Sequence, residues 1–207
     1  IRDRNGIEME RILVWHGYHS PVPVGEGSFS QVYRVTDSSG GFRACRVSDV
    51  TEQWQRECEN WQEIRHPLFP GYVEHWTEGG KGYLIMEFWD GMDLRKMLER
   101  RGRLTPGHAA WIADQIAEGI QYLHERQHPF LYRDLKPENI RIRVNGRVGI
   151  LDLGCLWNRE EKWSGAGNYS YSAPEQFRQG EIPGEESDVY ALSLIHISEP
   201  TRHSLIS

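Results

Sequence analysis

No apolar run in this chain approaches the roughly 20 residues that a bilayer-spanning helix needs, and no charged-then-apolar leader opens it. Neither a membrane segment nor a secretory signal is expected. Cysteine is equally scarce: Cys45, Cys58 and Cys155 lie far apart, none in a C-x-x-C pair. That spacing excludes a disulfide framework and a thiolate zinc site, and it points to a reducing, cytoplasmic setting. Positive charge is in deficit, with 24 Lys and Arg against 30 Asp and Glu and a net charge of −6. A balance of this sign argues against a general binder of nucleic acid or of anionic membranes. His124 and His128 stand at helical spacing but lack an evident third ligand, so a zinc site is not expected there either.

What is present is an ordinary globular composition, 207 residues that are 38% hydrophobic and 11% aromatic, enough for one sizeable core or two small lobes. The densest chemistry lies in Leu131 to Gly154, L-Y-R-D-L-K-P-E-N-I-R-I-R-V-N-G-R-V-G-I-L-D-L-G. Ile140, Ile142 and Val144 alternate with arginines, Val148 and Ile150 resume the alternation, and Asn145-Gly146 between them is a strong hairpin signal. A two-residue turn there sets Val144 against Arg147 and, counting outward, Asn139 against Asp152. A carboxamide and a carboxylate so placed form an oxygen pair suited to Mg²⁺. Asp134 and Lys136 lie just upstream, so one segment gathers a candidate base, a cation and two metal ligands.

Y-R-D-L-K-P-E-N followed by D-L-G resembles the catalytic loop and metal-binding motif of protein kinases, and Lys136 within it resembles the serine/threonine class, including bacterial-type members. The rest of the chain is similar in order. V-P-V-G-E-G-S-F-S-Q-V-Y-R-V resembles the loop that covers ATP phosphates, with Gly25 and Gly27 matching, Val32 in the following strand, and Ser30 at the third glycine position. Glycines let a backbone approach phosphate oxygens closely. Phe42 to Val47 resembles the lysine-bearing strand, in which Ala44 and Arg46 share one face, but the lysine position holds Arg46 and no lysine precedes Lys81. Thr51 is placed to cap a helix from about Glu52 to Arg65 with Trp54, Cys58, Trp61 and Ile64 as its buried stripe. By resemblance Glu57 on that helix pairs with Arg46, an arrangement that can be bidentate.

Gly82 to Trp89 reads as a buried strand and resembles the segment that leads from one kinase lobe to the other. The resemblance implies that Met86 lines the adenine pocket, that Glu87 and Trp89 offer backbone groups to adenine, and that Asp93 reaches the ribose. Thr105-Pro106 opens an amphipathic helix to about Glu125, with Ala109, Ile112, Ala113, Ile116, Ile120 and Leu123 on one face. S-A-P-E at 172 to 175 resembles the end of an activation segment, which implies for Glu175 an arginine partner from the later part of such a fold. Asn168 stands where these kinases usually carry threonine, and Asp188 is expected to anchor the catalytic-loop backbone.

The expected fold is α+β: a two-lobed, kinase-like but incomplete architecture. A small antiparallel β lobe with one helix occupies residues 18–87, and a mainly helical lobe occupies 88–192. Residues 1–17 form an N-terminal extension without an assigned element. Residues 193–207, S-L-I-H-I-S-E-P-T-R-H-S-L-I-S, resemble translated sequencing adapter and are expected to be a non-native tail after a truncated lobe. The resemblance implies a serine/threonine protein kinase that uses ATP and Mg²⁺ on protein hydroxyls. Asp134 serves as base, Lys136 steadies the phosphoryl group, and Asn139 and Asp152 hold the metal. The alternative it leaves open is a nucleotide-binding pseudokinase or scaffold, because of Arg46.

Overall fold

The computed structural model describes residues 4–27, 30–102, 104–158, 170–178 and 181–201. These described residues form two compact units, one from those within 1–65 and 70–89 and one from those within 66–69 and 90–207.

The first unit opens on helix α1, Arg4–Trp15, where the sequence reading assigned no element. Its apolar stripe is short, Met9, Ile12 and Leu13, and this explains why periodicity did not announce it. Gly17, at φ 84°, turns the chain back, and the Tyr18 N–H donates to the Leu13 carbonyl at 2.8 Å. Strands β1 (His19–Glu26), β2 (Ser30–Thr36), β3 (Phe42–Asp49), β4 (Tyr72–Glu78) and β5 (Lys81–Glu87) then build an antiparallel sheet in the order β1-β2-β3-β5-β4. Pro21 and Pro23 cannot donate to a ladder, and they sit where that costs least, on edge strand β1 with its two register shifts.

One face of this sheet is closed by α1. Ile12 and Leu13 join Tyr18, Val35, Cys45, Tyr83 and Ile85 in one buried cluster. The helix α2, Glu52–Glu63, starts at Thr51, whose hydroxyl accepts the Trp54 N–H at 3.1 Å, and it buries Trp54, Glu57, Cys58 and Trp61. Gly82 makes room for it, since a Cβ there would lie 2.3 Å from the Trp54 indole.

The second unit contains β6 (Gly91–Asp93), α3 (Leu94–Arg101), α4 (Pro106–His124), β7 (Phe130–Leu131), β8 (Ile140–Arg143), β9 (Val148–Ile150), β10 (Trp157–Asn158) and α5 (Glu186–Thr201). Strands pair as β6-β8-β9 and β7-β10. Thr105 caps α4 and Pro106 occupies its first turn. Ile112, Ile116, Ile120 and Leu123 of α4 are buried, and Gly119 lets Ile150 pack against the helix. Residues 66–69 belong here because the Ile150 N–H donates to the Leu68 carbonyl at 2.7 Å and His66 stacks on Tyr122 at 4.6 Å. Helix α5 runs across the 192/193 boundary, with Ile195 buried.

The hairpin register corrects the sequence reading. Ile140 pairs with Ile150 and Ile142 with Val148, so Arg143, not Val144, faces Arg147. The loop has three residues. Gly146 donates to the Arg143 carbonyl at 2.9 Å and takes φ 83°, while the Asn145 side chain accepts the Arg147 N–H. A turn closed by a left-handed glycine of this kind shares its Asn-Gly signature with the two-residue turn. The difference of one residue sets Asn139 against Leu151, whose N–H donates to the Asn139 carbonyl at 2.7 Å, instead of Asp152.

Candidate functional site

In the second unit the chain leaves β7 through Tyr132 and Arg133 and is held there by a buried carboxylate on the first turn of α5. Asp188 accepts the Tyr132 and Arg133 N–H groups, each at 2.8 Å, and meets the His124 ring at 2.9 Å. These bonds hold Arg133 at φ 69°, a conformation rarely kept by a side-chain-bearing residue without such support. The Arg133 carbonyl accepts from Ser172 Oγ at 3.3 Å and Gln176 Nε2 at 3.2 Å, and its Nε donates to the Cys155 carbonyl at 2.6 Å. The loop is thus pinned from three stretches of sequence.

Beyond Arg133, three candidate residues converge. Lys136 Nζ donates to Asp134 Oδ2 at 2.6 Å, and Asn139 Nδ2 donates to the Asp134 carbonyl at 2.9 Å and to Oδ2 at 3.1 Å. Asp134 is buried, and burial pushes its carboxyl above the ordinary carboxylate value, with the Asp152 charge adding to the rise. The Lys136 bond and charge and the Asn139 bond pull the other way without cancelling it. Burial pulls Lys136 down, yet the Asp134 hydrogen bond and charge outweigh burial and leave its ammonium more basic than usual. An Asp of raised proton affinity, oriented by two donors, can accept a proton from a hydroxyl presented to it.

Asp152 follows Leu151 directly and takes φ 60°, with Oδ1 accepting the Gly154 N–H at 3.0 Å. Tyr132 steadies this step from behind, its hydroxyl donating to the Leu151 carbonyl. Both Asn139 N–H donors are turned toward Asp134, so the amide oxygen faces away from it. One carboxylate and one carboxamide oxygen on neighbouring backbone positions make a donor set that suits a hard divalent cation.

In the first unit Arg46 Nη1 donates to Glu57 Oε1, with side-chain exposures of 18% and 5%. Ala44 lies beside Arg46 on the same face and pairs with Met86 of β5. Gly25 and Val32 are register partners, and the Gly27 N–H donates to the Ser30 carbonyl at 2.8 Å. The Glu87 N–H donates to the Gly71 carbonyl at 2.8 Å and its carboxylate accepts the Gly71 N–H at 3.1 Å. Trp89 is buried. Asp93, in the second unit, caps α3 through the Lys96 N–H at 2.8 Å and pairs with Lys96 Nζ at 3.1 Å, which gives the carboxylate foreseen for a ribose a helix-capping task.

Glu175 accepts the Ser187 hydroxyl at 3.4 Å. Asn168 lies outside the described residues. The sequence reading missed His124, Tyr132, Ser172 and Gln176 as supports of the loop, and it missed Arg95, which bridges Glu138 at 3.0 Å and the Tyr171 hydroxyl at 3.0 Å. Nothing in local pattern marks these residues. Their partners are tens of residues away in sequence.

The family model "Protein kinase domain" matches residues 18–207, and the chain belongs to that family. It is 30% identical over 186 residues to an Aurora kinase of Eremothecium gossypii, covering 83% of this chain and 49% of that one. It is 29% identical to serine/threonine-protein kinase PrkC of Bacillus subtilis, covering 83% of this chain and 28% of the relative. CBL-interacting protein kinase 16 of Oryza sativa subsp. japonica is 28% identical over 94% of this chain and 45% of its own length. The chain spans under half the length of these relatives. Among the described residues, no helix is long and apolar enough to cross a membrane.

Proposed function

We propose that this chain is the kinase domain of a serine/threonine protein kinase that moves the γ-phosphoryl of ATP to a protein hydroxyl, in a cytoplasmic setting. The observation that carries the reading is the Asp134–Lys136–Asn139 group, in which Lys136 and the buried Asn139 both bond the buried Asp134 carboxylate, on a backbone that Asp188 anchors. Its relatives are named as serine/threonine kinases. Asn139 and Asp152 would hold Mg²⁺, and Arg46, Glu57, Ala44, Met86, Gly25, Gly27, Val32, Glu87, Trp89 and Asp93 are the candidate residues for the nucleotide. Mg-ATP supplies the phosphoryl group and the cation that balances its developing charge. The chain's own task is positional: Asp134 orients the incoming hydroxyl and takes its proton, while Lys136 holds the Asp134 carboxylate and offers positive charge beside it.

A nucleotide-binding pseudokinase is the second reading, favoured by Arg46 in its ion pair with Glu57 where active relatives of this pattern use lysine. Phosphotransfer from γ-labelled ATP to a serine/threonine-rich protein, measured on the full-length protein, separates the two. Transfer that Asp134→Asn removes is expected. Mg²⁺-dependent ATP binding without transfer establishes the pseudokinase, and the absence of both sinks the nucleotide assignment. Asp152→Asn keeps the oxygen that accepts the Gly154 N–H, so it is expected to abolish Mg²⁺-dependent ATP binding with the apo melting temperature nearly unchanged.

A further inference from the structure

Helix α1 precedes residue 18, where the family match begins, yet it is built into the core of the first unit. Leu13 is fully buried and Ile12 nearly so, in the cluster that holds Cys45 of β3, Val35 of β2 and Tyr83 and Ile85 of β5. Val47 of β3 packs against the same cluster. Residues of a strand alternate between faces, so Cys45 and Val47 turn toward α1 while Ala44 and Arg46 turn to the opposite face, where Arg46 meets Glu57 of α2. The strand that carries Arg46 is therefore backed by side chains from outside the family domain.

The end of α1 is fastened separately. The His16 ring stacks on Trp76 of β4 at 3.9 Å with 13° between planes, and its Nε2 lies 3.1 Å from Glu78 Oε2. Trp76 in turn stacks on Tyr83 of β5 at 5.3 Å, and the Tyr18 hydroxyl donates to Glu74 at 2.5 Å. A continuous packed path runs from His16 through Trp76 and Tyr83 to the cluster behind Cys45.

We propose that α1 is a positioning clamp: by filling the back of β3 and locking onto β4 through His16, it holds Arg46 in register with Glu57 for nucleotide binding. Leu13 and His16 are positioning residues, acting through β3 on a residue they do not touch. The proposal rests on the reading of Arg46 as a nucleotide-binding residue. Its physical content, the constraint on β3, does not.

Two measurements on the full-length protein test it, and His16→Ala is the variant of choice because it removes a partly exposed clasp and leaves the Leu13 contacts in place. The first is amide exchange at Ala44 to Val47, which is expected to quicken about tenfold in His16→Ala. The second is Mg-ATP affinity, which is expected to weaken about tenfold, with kcat at saturating ATP nearly kept. Deletion of residues 1–15 should do both more strongly, and a synthetic peptide of residues 1–17 added in excess should restore both. Unchanged β3 exchange in His16→Ala overturns the clamp. Faster exchange with unchanged ATP affinity overturns the link to Arg46. If the unaltered protein binds no Mg-ATP, the nucleotide reading falls and the exchange experiment alone decides the clamp.

Discussion

Asp134 carries two opposed demands. Burial raises its proton affinity, so the ionised carboxylate destabilises the fold, and that cost fades as pH falls through the raised pKa. Asp134→Asn is therefore expected to abolish phosphotransfer, by at least about 10²-fold on the scale of general-base contributions, while thermal melting at pH 7 stays level or rises. The same shift places the acid limb of a kcat–pH profile above the ordinary carboxylate range. Because the Lys136 bond and charge pull Asp134 down, Lys136→Met should move that limb to still higher pH as well as lowering the rate; a limb that moves downward would show that another group titrates there. These residue types and their spacing were readable in D-L-K-P-E-N. Their mutual bonds were not, since only the folded loop brings Lys136 Nζ and Asn139 Nδ2 to a single oxygen.

Among elements, the loop from β7 to β8 is held by residues distant in sequence. Removing the Asp188 carboxylate strands the Tyr132 and Arg133 N–H groups in a buried place. Asp188→Ala is expected to cost about 3–5 kcal/mol in denaturant unfolding, and a loss below 1 kcal/mol would mean that water or another side chain replaces it. The β2–β3 hairpin offers a milder case. Asp37 accepts Ser39 Oγ at 2.7 Å and the Gly41 N–H at 2.8 Å, and these bonds, the Ser39 hydroxyl first, hold its carboxyl below the usual range. Its contribution is present above the ordinary carboxylate pKa and is lost as pH falls through the lowered folded value, so Asp37→Asn should flatten the acid side of the stability–pH curve. Helices α2 and α4 were legible because each joins an apolar stripe to a capping threonine, and β5 because Tyr83 to Met86 is an unbroken apolar run. Helix α1 was not, having three apolar contacts and no cap signal, and the β8–β9 register slipped by one because Asn145-Gly146 serves two loop lengths equally well.

Across the whole molecule, the chain passes between the two units at 65/66, 69/70 and 89/90. The first two passages matter most, because residues 66–69 deliver Leu68 and Phe69, both buried, into a unit otherwise made of later sequence. Leu68→Ala is expected to cost about 2–5 kcal/mol, and the loss should appear in the unfolding of the second unit, followed through Tyr122 and Trp157. The same threading has a consequence for proteolysis. A protease that nicks the backbone once, at 89/90, cuts only one of three passages and leaves the 1–89 piece with Leu68 and Phe69 buried in the unit that the other piece builds. The two pieces should co-elute under native conditions and part only in denaturant.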